Sequence, residues 1–262
     1  MKVTRTGTGR PLLLVHGLGS TSRVWEPVMA VLAAQREVIA VDLPGHGGVA
    51  AEADSGSFAG VARSLERFLD AQHLAGCDMV GSSLGGQLVL EMARRGKAGA
   101  TVALDPGGFW LGWERPILRN SLKTALWTAR GFKPGLSMLA RNPATRTMLL
   151  GLLSKQPWAL DGELVASEME AFADTETLDT LIDSLAFGAM QIGSPAADEQ
   201  PITIGWGRHD RLCNPSQARR ALAAFPRARL HWFDHSGHFP MWDEPAAAAS
   251  LILGATGSAT LH

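Results

Sequence analysis

A doubly wound, mostly parallel α/β sheet carrying a helical insertion is the fold class this sequence predicts. Three observations lead there. Short apolar runs, each closed by a turn signal, recur along the chain and alternate with helical patterns. Most of the runs show no polar alternation, as expected of parallel strands covered on both faces. The alternation then fails between about residues 106 and 197, where large apolar side chains continue without a strand. Strand–helix–strand units of this kind wind with a right hand around one sheet.

The strand candidates are residues 11–15, 37–41, 77–80, 100–104, 201–206 and 229–233, with room for one short strand before Pro11. Helical patterns occupy residues 24–34, 58–69, 84–95, 216–224 and 245–253. The last two open on helix-start chemistry, with Asn214 before Pro215 and Asp243 two residues ahead of Pro245. Within the insertion, residues 116–130, 143–153 and 177–190 read as amphipathic helices. Placed after a strand at the carboxyl edge of the sheet, they predict a helical cap over a site there. The expected division is a core of residues 1–105 and 198–262 and a cap of residues 106–197. Residues 254–258 read as a frayed tail.

Bulk properties exclude several function classes. With 46% hydrophobic and 19% charged residues, the chain is able to bury a substantial core. A formal net charge of −1 and the absence of a basic run leave no electrostatic footprint for nucleic acid or an anionic membrane. Cys77 and Cys213 alone make no disulfide framework, and reduced thiols in a cytosolic protein are the simpler reading. The first apolar run stops at His16-Gly17, which is not a signal-peptide pattern, and no stretch approaches the roughly eighteen apolar residues of a spanning helix. A cytoplasmic location is expected.

The candidate chemistry lies where strands end. Ser83 sits in Gly81-Ser82-Ser83-Leu84-Gly85, between a strand pattern and a helical pattern. That is the strand–turn–helix setting of a nucleophile elbow, with glycines where neighbouring backbone must pass close. Standing alone, a Gly-x-Ser-x-Gly is weak in a chain with 29 glycines. A serine hydroxyl also needs a base for its proton and an acid to orient that base. Downstream, the strand at 201–206 runs into Gly207-Arg208-His209-Asp210, and the strand at 229–233 into Asp234-His235-Ser236-Gly237-His238. In a parallel sheet these loops share one rim with Ser83. Asp105, closing the strand at 100–104, is a second candidate acid, and His235 a second candidate base. An oxyanion hole would draw on two backbone N–H groups: that of Leu84, next to the serine, and that of Leu18 in His16-Gly17-Leu18-Gly19.

Taken in order, His16-Gly17, Asp42-Leu43-Pro44-Gly45-His46-Gly47, Gly81-Ser82-Ser83-Leu84-Gly85-Gly86, the segment from Gly205 to Asp210 and Gly237-His238 resemble the α/β-hydrolase superfamily over nearly the whole chain. The resemblance implies a Ser83–Asp210–His238 triad, because Asp210 fits the commoner acid position and Gly237-His238 reproduces the superfamily's signature. It also gives His16 and His46 roles in loop shape, and Asp42 a bracing role. Two departures stand out: the sheet lacks room for the first of the usual eight strands, and position 82 is serine where many relatives carry a larger residue.

No metal or cofactor is expected. His231, Asp234, His235 and His238 cluster in sequence, but strand alternation separates His231 from the loop, and no zinc spacing is present. Gly7-Thr8-Gly9 and Gly17-Leu18-Gly19 fall short of a nucleotide-binding pattern. The expected activity is acyl transfer from a small, apolar carboxyl ester through an acyl-enzyme. Relatives extend the alternatives to a carbon–carbon bond hydrolase of a ring-cleavage diketone, with Arg115, Arg119, Arg130 or Arg141 to anchor a carboxylate, and to a lactonase, thioesterase or perhydrolase. A ligand receptor on the same fold is the non-enzyme alternative. Epoxide hydrolysis is disfavoured, since the superfamily runs it with an acid at the position of Ser83 and with cap tyrosines, and the chain has no tyrosine.

Overall fold

The computed structural model describes residues 1–257. Its centre is a seven-stranded sheet built from β1 (Lys2–Thr6), β2 (Pro11–Val15), β3 (Glu37–Asp42), β4 (Asp78–Ser82), β5 (Thr101–Leu104), β6 (Ile202–Gly207) and β7 (Arg229–Phe233). The order across the sheet is β1-β3-β2-β4-β5-β6-β7. β1 pairs antiparallel with β3, and every other pairing is parallel. One short strand does precede Pro11, as the sequence requires. Around the sheet run α1 (Glu26–Ala33), α2 (Phe58–Ala71), α3 (Leu84–Arg94), α9 (Gln217–Ala224), α10 (Pro240–Asp243) and α11 (Pro245–Thr256).

Period-two alternation fills both faces of the sheet with apolar side chains. Leu13 and Val15 of β2 with Ile39 and Val41 of β3 pack into one core layer, against α2 and α3. Their neighbours Leu12, Leu14, Val38 and Ala40 point the other way, into a layer with α1 and α11. Strands buried on both faces cannot alternate in polarity, so their runs read as continuous hydrophobics.

Between β5 and β6 the chain builds α4 (Glu114–Gly131), α5 (Lys133–Arg141), α6 (Pro143–Leu150), α7 (Gly162–Asp174) and α8 (Leu178–Phe187). Two of these, α5 and α7, are absent from the sequence reading. The signal for α7 was present in its opening residues, since Asp161 accepts from the N–H of Leu164 as an N-cap. Salt bridges join α4 to α8: Arg119 to Asp183, Lys123 to both Asp179 and Asp183, and Arg130 to Asp179.

Three expectations change. The helix expected at 24–34 begins as a 3-10 turn, Ser22–Trp25, and becomes α-helical at Glu26, with Pro27 in its first turn. Asp243 does not cap α11: its carboxylate accepts instead from Ser154 Oγ, Lys155 N and Gly237 N. The expected tail at 254–258 is helical through Thr256, and Ser258 lies outside the described residues. Thr256 is buried, and its carbonyl and hydroxyl both accept from Arg36, whose guanidinium also holds the buried Asp78 carboxylate at 2.7 Å. A fixed, charge-assisted anchor at its last turn keeps this helix from fraying.

Candidate active site

The level register of β4, β5 and β6 sets the site. Ser82 of β4 faces Leu104 of β5, which in turn faces Gly205 of β6, so residues following these strands emerge along one edge. Ser83 follows β4 directly, with φ 55° and ψ −115°. This is a conformation that L side chains avoid, stabilised by its surroundings. Its N–H bonds to the Leu104 carbonyl at 2.9 Å, and its carbonyl accepts from Gln87 and Gly107. Gly81 and Gly85 make the turn possible: a Cβ at Gly81 would lie 2.0 Å from the Gly85 carbonyl oxygen, and one at Gly85 would lie 2.1 Å from that of Val15.

His238 is buried, five residues past the end of β7, and its backbone N–H is held by the Leu153 carbonyl of the insertion at 2.7 Å. Its Nδ1 lies 2.8 Å from Asp210 Oδ2. Asp210 Oδ1 accepts from the N–H groups of Leu212 and Cys213, so the carboxylate is fixed at both oxygens. The other imidazole nitrogen, Nε2, has no hydrogen-bond partner among the described residues. Ser83 and His238 line the same cavity, and the structure brings Asp210 to the far side of the imidazole. An imidazole donating from Nδ1 to a carboxylate leaves Nε2 free to accept a proton.

Asp105 lies in the same buried cluster but does not reach His238. Its Oδ1 accepts from Gly207 N–H at 2.8 Å. Burial first, and then the charge of Asp210, raise its carboxyl well above the usual range and favour the neutral form. His235 is exposed, away from this arrangement. His231 is also exposed and packs its ring on Phe233, while Asp234 pairs with Arg208.

Leu18 and Leu84 line the same cavity as Ser83. The loop that carries Leu18 is braced from the core. Leu43 N–H donates to His16 Nε2 at 3.0 Å, which leaves His16 Nδ1 to donate to the Gly17 carbonyl at 2.7 Å. His16 and His46 are both buried with ring centres 5.2 Å apart. Burial lowers both imidazoles, His46 to about 3, so each is the neutral ring that this bracing requires. Asp42 accepts from Ser22 N–H at 2.6 Å at the end of the same loop. The loop also meets a residue that sequence reasoning missed, Glu168 of α7. It accepts from Ser20 Oγ, Thr21 Oγ1 and Thr21 N.

The cavity has a volume of about 530 Å³. One side is a stripe of α4, Leu118, Leu122, Ala125 and Ala129, at helical spacing. Phe132, Met148 and Leu152 also line it, yet are 62%, 85% and 61% exposed, so they mark an apolar mouth. Glu168 and His238 are the ionisable residues of the lining besides Cys213. Arg115, Arg119, Arg130 and Arg141 are not among the lining residues. Asp210, Cys213 and His238 present potential metal-ligand atoms within 4.8 Å of one another. The Asp210 carboxylate already accepts from three donors, and burial pushes the Cys213 thiol well above its usual range, which disfavours the thiolate that a metal would need.

The sheet order and the strained serine turn are those of an α/β-hydrolase. Residues 12–251 match the model of the alpha/beta hydrolase family, and the chain belongs to that family. It is 28% identical over 257 residues to an uncharacterized protein of Mycobacterium tuberculosis, covering 94% of this chain and 75% of that one. It is 24% identical over 268 residues to the 2-hydroxy-6-oxononadienedioate/2-hydroxy-6-oxononatrienedioate hydrolase of Cupriavidus pinatubonensis, covering 97% and 89%. An esterase structure from Exiguobacterium antarcticum superposes with a TM-score of 0.75 at 16% identity over 98% of this chain and 95% of the esterase, a likeness of fold. Such a family fits a small-molecule substrate. No helix among the described residues is long and apolar enough to cross a membrane.

Proposed function

We propose that the chain is a cofactor-independent serine hydrolase that cleaves a carboxyl ester of a largely apolar substrate. The observation that carries this reading is the meeting of a strained Ser83 and the Asp210-oriented His238 in one apolar cavity. Ser83 Oγ attacks the ester carbonyl while His238 Nε2 takes its proton, and Asp210 stabilises the imidazolium that forms. The N–H groups of Leu18 and Leu84 receive the oxyanion, at about 3–4 kcal/mol each. Collapse breaks the carbon–oxygen bond of the ester, and the proton on His238 goes to the departing alcohol. A water deprotonated by the same histidine then releases the acid and frees Ser83. Residues 106–197 serve as a cap on a core of residues 1–105 and 198–262.

A carbon–carbon bond hydrolase is the rival that the relatives suggest. The C. pinatubonensis relative is named for a dioate, a substrate with two carboxylates. The cavity here supplies no lysine or arginine from its lining, which favours a neutral ester. The test is labelling of wild type and Ser83→Ala with a fluorophosphonate probe, alongside turnover of p-nitrophenyl esters of graded chain length. The expected result is labelling that requires Ser83, together with steady turnover of medium-chain esters. A burst without further turnover points to a receptor, and an unlabelled, folded wild type overturns the hydrolase reading.

A further inference from the structure

We propose that Glu168 is a positioning residue, an acceptor on the insertion that holds the loop of residues 17–21, and with it the N–H of Leu18, in the geometry an oxyanion requires. This rests on the ester-hydrolase reading above and makes turnover depend on the seating of α7 against the core.

The arrangement is a clamp from two sides. From the core, His16 and Asp42 fix the two ends of the loop. From the insertion, Glu168 Oε2 accepts from Ser20 Oγ and from Thr21 N–H at 3.1 Å, while Oε1 accepts from Thr21 Oγ1. One turn further along α7, the ring of Phe172 covers Gly19 so closely that a Cβ there would lie 2.5 Å from it. Glu168 and Phe172 thus share one face of the helix, and that face ends on the three residues after Leu18.

The cost of this contact argues for its use. Glu168 is 7% exposed, and no cation pairs with it among the described residues. Arg23, whose field favours the carboxylate, is itself bonded to Glu26. Burial raises the Glu168 carboxyl, the opposite of what an ion pair does. An apolar residue would fill this space without that penalty, but it would leave the Thr21 N–H unpaired and the loop untied from α7. A displaced oxyanion donor is costly, because a shift of about 1 Å in a catalytic group can lower the rate about a hundredfold.

The experiment compares wild type, Glu168→Gln and Glu168→Ala in kcat and KM for p-nitrophenyl butyrate, with hydrogen exchange of the Thr21 amide measured on each protein without substrate. Glu168→Ala is expected to lower kcat about 10- to 100-fold with KM within about twofold, and to speed exchange at Thr21. Glu168→Gln keeps an acceptor for that amide and is expected to recover most of kcat, which a loss of stability alone does not produce. It also serves as the readout if the alanine variant fails to fold. An unchanged kcat in Glu168→Ala, a change confined to KM, or a glutamine variant as impaired as alanine overturns the proposal. If wild type turns over no ester while Thr21 exchange still responds to Glu168, the hydrolase reading falls and the clamp stands.

Discussion

Asp210→Asn tests the proposed acid, and the structure fixes which way the amide must turn. Asp210 Oδ1 accepts from Leu212 N–H at 2.8 Å and Cys213 N–H at 2.9 Å. Those donors are buried or partly buried and need an acceptor, so asparagine keeps its carbonyl oxygen there and turns its NH2 toward His238 Nδ1. The opposite orientation leaves two backbone donors facing an NH2, at about 1–3 kcal/mol for each unpaired group. Facing a donor, Nδ1 becomes the acceptor and the ring proton moves to Nε2. The imidazole then has no lone pair for the Ser83 proton. Tautomer reversal of this kind lowers kcat about 10⁴-fold, which is about 5.5 kcal/mol in the barrier at about 1.4 kcal/mol per decade. The assay is kcat/KM for p-nitrophenyl butyrate beside thermal unfolding, to show that the fold survives. A loss under about tenfold refutes the reasoning. Asp105→Asn is the companion variant, expected to stay within a few-fold of wild type. Its carboxyl already favours the neutral form, and asparagine still offers Gly207 N–H an acceptor. A reversed outcome for the pair moves the acid role to Asp105.

Two further outcomes follow from the same packing. Gly85→Ala places a methyl 2.1 Å from the Val15 carbonyl oxygen and 2.6 Å from that of His16, against backbone on both contacts. It should cost about 3 kcal/mol in urea unfolding and abolish fluorophosphonate labelling, and a fully stable, labelled variant contradicts the close approach. His46 binds its proton less readily folded than unfolded, with its value lowered from 6.5 to about 3 by burial. Below pH 6.5 the unfolded chain therefore holds more protons, and stability falls with pH by about 1.4 kcal/mol per unit from this residue until its folded value is reached. Urea titrations from pH 7 to pH 4 should show a slope about one proton smaller in His46→Asn; equal slopes reject the assignment.

The strands and the three loops that end them were legible in the sequence because each signal is local. Continuous apolar runs announce strands buried on both faces, and Gly81-Ser82-Ser83-Leu84-Gly85 announces a turn into a helix. The same was true of His238 against His235: the sequence signature favoured the histidine that the structure buries beside Asp210. The insertion was less legible. A helix such as α7 has one face on the core and another on the cavity, so its apolar residues serve two surfaces and blur a single periodic stripe.

What the sequence determined by itself was the backbone that carries the candidate site: the order of strands and helices, a serine in a turn that requires its glycines, and an acid and a histidine past later strand ends. Tertiary structure alone decided which side chains meet. It turned Asp243 from a helix opener into an acceptor for Gly237 and Lys155, and carried Glu168 to residues 148 and 147 positions earlier in the chain. The physical reason is range. Turns, caps and alternation are set within a few residues by backbone sterics and local hydrogen bonds. A contact between α7 and the loop after β2 depends on how two separately formed layers pack, and no local pattern encodes that.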